Sequence, residues 1–188
     1  MKSKLVGYLI LTVGICFIGY ASWGIIQSNV KANDTLEAAK KIVEESPSKS
    51  SKDNFLPKQG ETVGILKLPT IKAELAIVEG TDPEELEKGV GHYKGSYFPE
   101  QNGQIVLSGH RDTVFKQLGE LKLGDELQVE IAYGKFSYKI IDTKIVDSDD
   151  TSIITLQNEK EELILTTCYP FGYIGNAPQR YIIYAEKK

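Results

Sequence analysis

Residues 5 to 26, LVGYLILTVGICFIGYASWGII, contain no charged side chain. A helix over this stretch is about 33 Å long, enough to cross a bilayer. The apolar part of a cleaved signal peptide is shorter, about 7–15 residues, and Tyr20-Ala21-Ser22 is a poor cleavage sequence. The stretch therefore reads as an uncleaved transmembrane anchor. A buried core helix of this length would show a polar face, and this one has none. Lys2 and Lys4 precede it. By the positive-inside rule, residues 1–4 are a cytoplasmic end of a single-pass membrane protein, and everything after Ile26 is extracellular.

That placement limits the remaining chain to what one exported domain can do. Residues 27–60 read as an extracellular stalk, leaving residues 61–188, the size of an ordinary domain. Within the stalk, DTLEAAKKIVEE (34–45) reads as a short helix opened by Asp34, with Glu37 at capping-box spacing and a thin apolar stripe of Leu36, Ala39 and Val43. SPSKSSKDN (46–54) reads as a flexible linker. FLPKQG (55–60) reads as its Pro-containing end. The formal charge of −4 and the absence of a basic stripe argue against nucleic acid and against an anionic lipid surface.

From Thr62 onward the pattern changes to short runs rich in Val, Ile, Leu, Tyr and Thr. TVGILKLP, KAELAIVE, GQIVLSGH, ELQVEIAYG, KFSYKIIDTKIV, EELILTTC and RYIIYAEK are punctuated by Gly, Pro, Asn and Asp. IAYGKFSYKI (131–140) reads as a hairpin, and only DPEELEKG and TVFKQLGEL look helical. Many short strands and few helices predict a mainly β domain, a closed barrel or a sandwich.

The chain has two cysteines. Cys16 falls in the membrane span, so Cys168 is an unpaired thiol in an oxidising compartment. It ends a predicted strand, His110 follows another, and Arg180 opens the last. If strands 163–168 and 180–185 pair antiparallel, Cys168 and Arg180 come out opposite one another on one face. A thiolate is a nucleophile favoured by nearby positive charge. An imidazole can protonate a leaving amine, and a guanidinium can hold a developing oxyanion. Together they point to acyl transfer through a thioester. Taken singly, each has an ordinary reading: a buried thiol, a loop histidine, a surface arginine.

LSGHRD (107–112), ILTTC (164–168) and the arginine of APQRY resemble the signature of sortases, the membrane-anchored transpeptidases of Gram-positive bacteria, over roughly Thr62 to Lys188. TTCYPFGYIGNAPQRY and the short form are most similar to class D sortases. The resemblance implies a closed eight-stranded β-barrel with short helices. It also implies a cysteine transpeptidase, a thiol peptidase of the hydrolase class, that cleaves LPXT-type sorting signals after threonine. His110 would be the proton donor and acceptor, Cys168 the acyl-thioester nucleophile and Arg180 the oxyanion or substrate stabiliser. Thr166, Thr167 and Tyr169 would contact substrate. The acceptor would be an amine of the cell-wall peptidoglycan precursor.

Some residues depart from the family pattern. Ile164 stands where the family's T-L-x-T-C has threonine, Asp82-Pro83 is followed by Glu84 rather than the aromatic residue of a pilin-type lid, and no second apolar span precedes Lys188. Asp147, Asp149 and Asp150 are a candidate calcium site, but they lack the spacing of a ligand loop; a solvated loop and no cofactor are expected. His92 is expected to be structural. The order of His110 before Cys168 argues against papain-like wall hydrolases, and the distance to Arg180 argues against L,D-transpeptidases. The rival from another class is a non-enzymatic anchored β-domain that binds cell wall or a protein partner.

Overall fold

The computed structural model describes residues 2–45, 55–173 and 175–188. The linker expected over 46–54 lies outside the described residues. An uninterrupted helix, α1, spans Lys2–Glu45. It contains Val6–Gly24, long and apolar enough to cross a membrane and nowhere buried. The reading of a separate helix starting at Asp34 is therefore corrected. No Gly or Pro stands between Ile26 and Asp34, so propagation costs less than a fresh nucleation, and Asp34 is an interior residue of α1 rather than a cap.

The thin stripe on α1 has a partner. Ala39 is fully buried against Ile65 and Ala76, with Leu36 and Val43 beside it. Lys31 pairs with Glu87 at 2.9 Å and Lys40 with Glu74 at 3.8 Å. Exposed ion pairs of this kind contribute about 0–1 kcal/mol, so the apolar stripe carries most of the docking.

The strands are β1 (Thr62–Leu68), β2 (Ala73–Glu79), β3 (Val90–His92), β4 (Gln104–Gly109), β5 (Glu126–Ile131), β6 (Gly134–Asp147), β7 (Glu162–Tyr169) and β8 (Gln179–Lys187). They close into one barrel in the order β1-β2-β3-β4-β7-β8-β6-β5. The closed eight-stranded barrel is as expected, and closure leaves no sheet edge unpaired. β5 and β6 form the predicted hairpin, with Ile131 opposite Gly134. β3 had no counterpart in the sequence reading. DPEELEKG supplies a single helical turn, α2 (Pro83–Leu86), while TVFKQLGEL forms turns ending in a 3-10 turn at Leu118–Glu120.

Alternation along the strands builds the core. Leu66, Leu68, Ile105, Leu107, Leu163, Leu165 and Ile183 point inward, closed off by Phe115 and Leu118. Tyr138 is fully buried, and its hydroxyl donates to Glu161 Oε1 at 2.6 Å. Outside the barrel, Val106, Ile164 and Ile182 form a second cluster under Ile153 and Ile154. Two of the connections matter most for the site: β6–β7 (148–161) and β7–β8 (170–178).

Candidate active site

Strand parity decides which side chains can meet. Leu163 and Leu165 enter the core, while Ile164 packs on the outside. Cys168 shares the parity of Ile164 and Thr166, so it stands on the outer wall. Antiparallel β7–β8 pairing sets Cys168 directly opposite Arg180, and paired residues project from the same face. β4 runs parallel to β7 and pairs Ser108 with Thr166 and Gly109 with Thr167. His110 is the next residue, level with Cys168. The chain turns back at this point: Phe115 N–H donates to His110 O at 2.9 Å. A Cβ on Gly109 would come within 2.7 Å of the Phe115 ring, so glycine is what lets the turn close and leaves His110 at the open end.

His110, Cys168 and Arg180 line one groove of about 350 Å³, with Tyr93, Ser108 and Thr166. The groove lies on the outer wall over β4, β7 and β8, rather than at the barrel's rim as strand ends alone suggested. Cys168 is a free, half-buried thiol. One arm of the Arg180 guanidinium is fixed, since Nη1 donates to Gln179 O at 3.0 Å and Ala177 O at 3.3 Å. Nε and Nη2 have no protein partner among the described residues. A nucleophilic sulfur, an imidazole and an open guanidinium edge on one face suit attack on an acyl carbon and stabilisation of the resulting oxyanion.

Glu87 adds a negative charge near the imidazole. Its carboxyl is held below the usual range, first by the Lys31 hydrogen bond and charge and to a lesser degree by His110. The anchor helix thus holds the acidic neighbour of the groove.

Of the three expected substrate contacts, Thr166 and Thr167 line the groove and Tyr169 does not. Thr167 alternates with Cys168, is 3% exposed and donates its hydroxyl to Gly109 O at 2.7 Å. That bond fastens β7 to β4 just before His110. Tyr169, also out of phase with Cys168, is absent from the groove lining; it packs edge-on against Phe171 and stacks on Tyr181 at ring separations of 5.7 and 6.2 Å. Thr166 keeps its place in the groove. His92 is buried and bonded at both ring nitrogens, to Glu79 at 2.6 Å and to Tyr97 O and Ser96 at 3.0 and 2.9 Å, and it stacks on Phe98. Of the three loop aspartates, Asp150 accepts from Ser152 N–H and Oγ. No cluster of three or more metal-ligating side chains occurs among the described residues. FLPKQG does not line the groove; its Phe55 packs edge-on against Phe98 and Tyr133.

A family profile described as the Sortase domain matches residues 66–188. Sortase D of Bacillus subtilis (strain 168) is 57% identical over 195 residues, covering 98% of both chains. The chain belongs to the sortase family. Its fold matches solved sortases as well. A Clostridium perfringens sortase D5 transpeptidase superposes with a TM-score of 0.72 at 23% identity, covering 85% of this chain and 99% of that one. A C. perfringens sortase C, solved with the C-terminal cell wall sorting motif, gives 0.65 at 23% identity, covering 91% and 98%. With its N-terminal apolar helix, this sortase is a membrane-anchored protein.

In this sortase two supporting side chains escaped the sequence reading. Gln104 holds the β6–β7 connection: Oε1 accepts from Thr155 and Leu156 N–H at 2.9 and 3.1 Å, and Nε2 donates to Ile153 O and Glu162 Oε2 at 3.2 and 3.3 Å. Its signal was a polar residue opening an otherwise apolar strand. Arg111 holds the β7–β8 connection, and its signal was adjacency to His110.

Proposed function

We propose that this sortase is a cysteine transpeptidase acting on LPXT-type sorting signals at the outer face of the membrane. The observation that carries the reading is the Cys168–Arg180 cross-strand pair, with His110 level beside it in one open groove. An extended peptide lies over β4, β7 and β8. The Cys168 thiolate attacks the threonine carbonyl carbon, and the electron pair of the carbonyl moves onto oxygen, where the free edge of Arg180 receives it. Collapse breaks the C–N bond as His110 delivers a proton to the departing amine. The product is a thioester on Cys168. An amine of the peptidoglycan precursor then attacks that thioester, loses its proton to His110 and displaces the thiolate. Lys2 and Lys4 keep the N-terminus in the cytoplasm, so the groove faces the wall.

The test is incubation of the full chain in detergent with a small set of LPXT-type peptides, followed by intact-mass measurement. Wild type gains the acyl mass on Cys168, and Cys168→Ala gains nothing and turns over no peptide. Turnover by Cys168→Ala would remove the thioester from the reaction, whereas neither adduct nor turnover with any peptide would favour the non-enzymatic wall-binding domain.

A further inference from the structure

Arg111 directly follows His110, yet the acyl-transfer steps give it no part. Its Nη2 donates to Tyr173 O at 2.7 Å and Gly175 O at 2.8 Å, and its guanidinium carbon lies 5.6 Å from the Tyr173 ring centroid. One side chain therefore ties the residue after the imidazole to the loop between the sulfur and the second guanidinium.

Little else holds the middle of that loop. Gly172 and Gly175 take positive φ values of 73° and 106°, and Gly172, Tyr173, Gly175 and Asn176 are all exposed. Among the described residues, none from Gly172 to Asn176 makes a backbone–backbone hydrogen bond. Of the loop's described aromatic residues, Phe171 is the one packed on the barrel's rings, against Tyr169 and Tyr181. Behind the tie is a second hollow of about 600 Å³, lined by Arg111, Asp112, Lys116, Gly172, Tyr173 and Gly175. A released loop has room to sag into it. Arg111 Nη1 is buried without a hydrogen-bond partner among the described residues. An unsatisfied buried donor is costly, a cost that a residue serving only surface charge has no reason to carry.

We propose that Arg111 is a positioning residue that clasps the β7–β8 loop and so fixes Cys168 and Arg180 relative to His110. The proposal rests on the transpeptidase reading for its kinetic consequence, but not for its structural one. A guanidinium fits the task because a rigid fork can serve two carbonyls and stack on a ring, whereas an ammonium is a single point charge.

The experiment compares Arg111→Ala, Arg111→Lys and Tyr173→Ala in the full chain. Chymotryptic cleavage after Tyr173 reads the clasp without reference to activity, using the two Arg111 variants. Both are expected to be cut at least about tenfold faster than wild type at unchanged Tm. Peptide cleavage reads the consequence. Arg111→Ala lowers kcat by about 100-fold, the cost of an ångström-scale misplacement, with KM little changed. Arg111→Lys recovers only part of that loss, Tyr173→Ala loses less than Arg111→Ala, and added ethylguanidinium restores Arg111→Ala. Unchanged chymotryptic cleavage, or wild-type kcat in Arg111→Ala, overturns the clasp. Failure of wild type to acylate Cys168 would instead overturn the transpeptidase reading and leave the proteolysis result standing.

Discussion

The two connections beside the groove, β6–β7 that lines it and β7–β8 that joins the strands of Cys168 and Arg180, are built on different principles. β6–β7 is anchored by Gln104, a 2% exposed side chain that makes three hydrogen bonds to the loop and a fourth to Glu162 at the start of β7. Ile153 and Ile154 from the same connection pack on Val106, Ile164 and Ile182. This wall comes with the fold. Among its described residues, β7–β8 has one packed ring, a backbone bond from Ser148 N–H to Pro178 O at its far end, and for the rest arginines, Arg111 from β4's exit and Arg180 on its own strand. This wall comes with the site. Loss of the first should therefore register as stability, and loss of the second as rate.

Arg180→Ala is the severest test of that division. It removes the proposed oxyanion donor and one tether of the β7–β8 loop, so kcat should fall by about 100- to 1,000-fold while the thermal midpoint holds. A large drop in midpoint would place β7–β8 among the fold's own supports and erase the contrast. Gln104→Ala should do the reverse. It strands the part-buried Thr155 and Leu156 N–H groups and leaves a void at a buried site, which together cost about 2–3 kcal/mol. A loss of about 2–3 kcal/mol lowers the midpoint by about 5–10 °C, read by circular dichroism, with less than a tenfold change in kcat. An equal fall in kcat would show the two walls to be alike.

The smallest effect is acid sensitivity confined to the first wall. The Ser152 hydroxyl and then its N–H hold the Asp150 carboxyl below the ordinary aspartate value. A depressed folded value means the turn's extra stability is complete above the unfolded value, about 3.9. It is lost as pH falls through the folded one. The Ser152 amide resonance should therefore titrate with a midpoint below that of a free aspartate. Amides of 172–176 should not follow it. A midpoint at or above the free value would break the assignment.

What the sequence disclosed, and what it hid, follows the range of the interactions. Seven strands were readable because alternation is local. The facing of Cys168 and Arg180 was readable because a short connection between two strands leaves few alternatives. β3 was not, since Val90–His92 is too short to alternate. Tyr169 illustrates a signal present but unused: it alternates with Cys168, and parity alone turns it away from the groove. Gln104 and Arg111 act on partners 49 to 64 positions away, and no local pattern encodes such a partnership. At α1, Asp34 and Glu37 had the spacing of a helix start, but the absence of any breaker upstream outweighed it.

The stem of this protein leaves the barrel little freedom to roam. α1 spans about 66 Å, and it is joined to the barrel at Ala39 and again at Lys31. A slack cord would let the groove sample a hemisphere of positions. A docked mast holds it at one height from the apolar segment of α1. Whatever reacts there must bring its scissile or nucleophilic atoms to that height, so the length of α1 is itself a selector of what this sortase can reach.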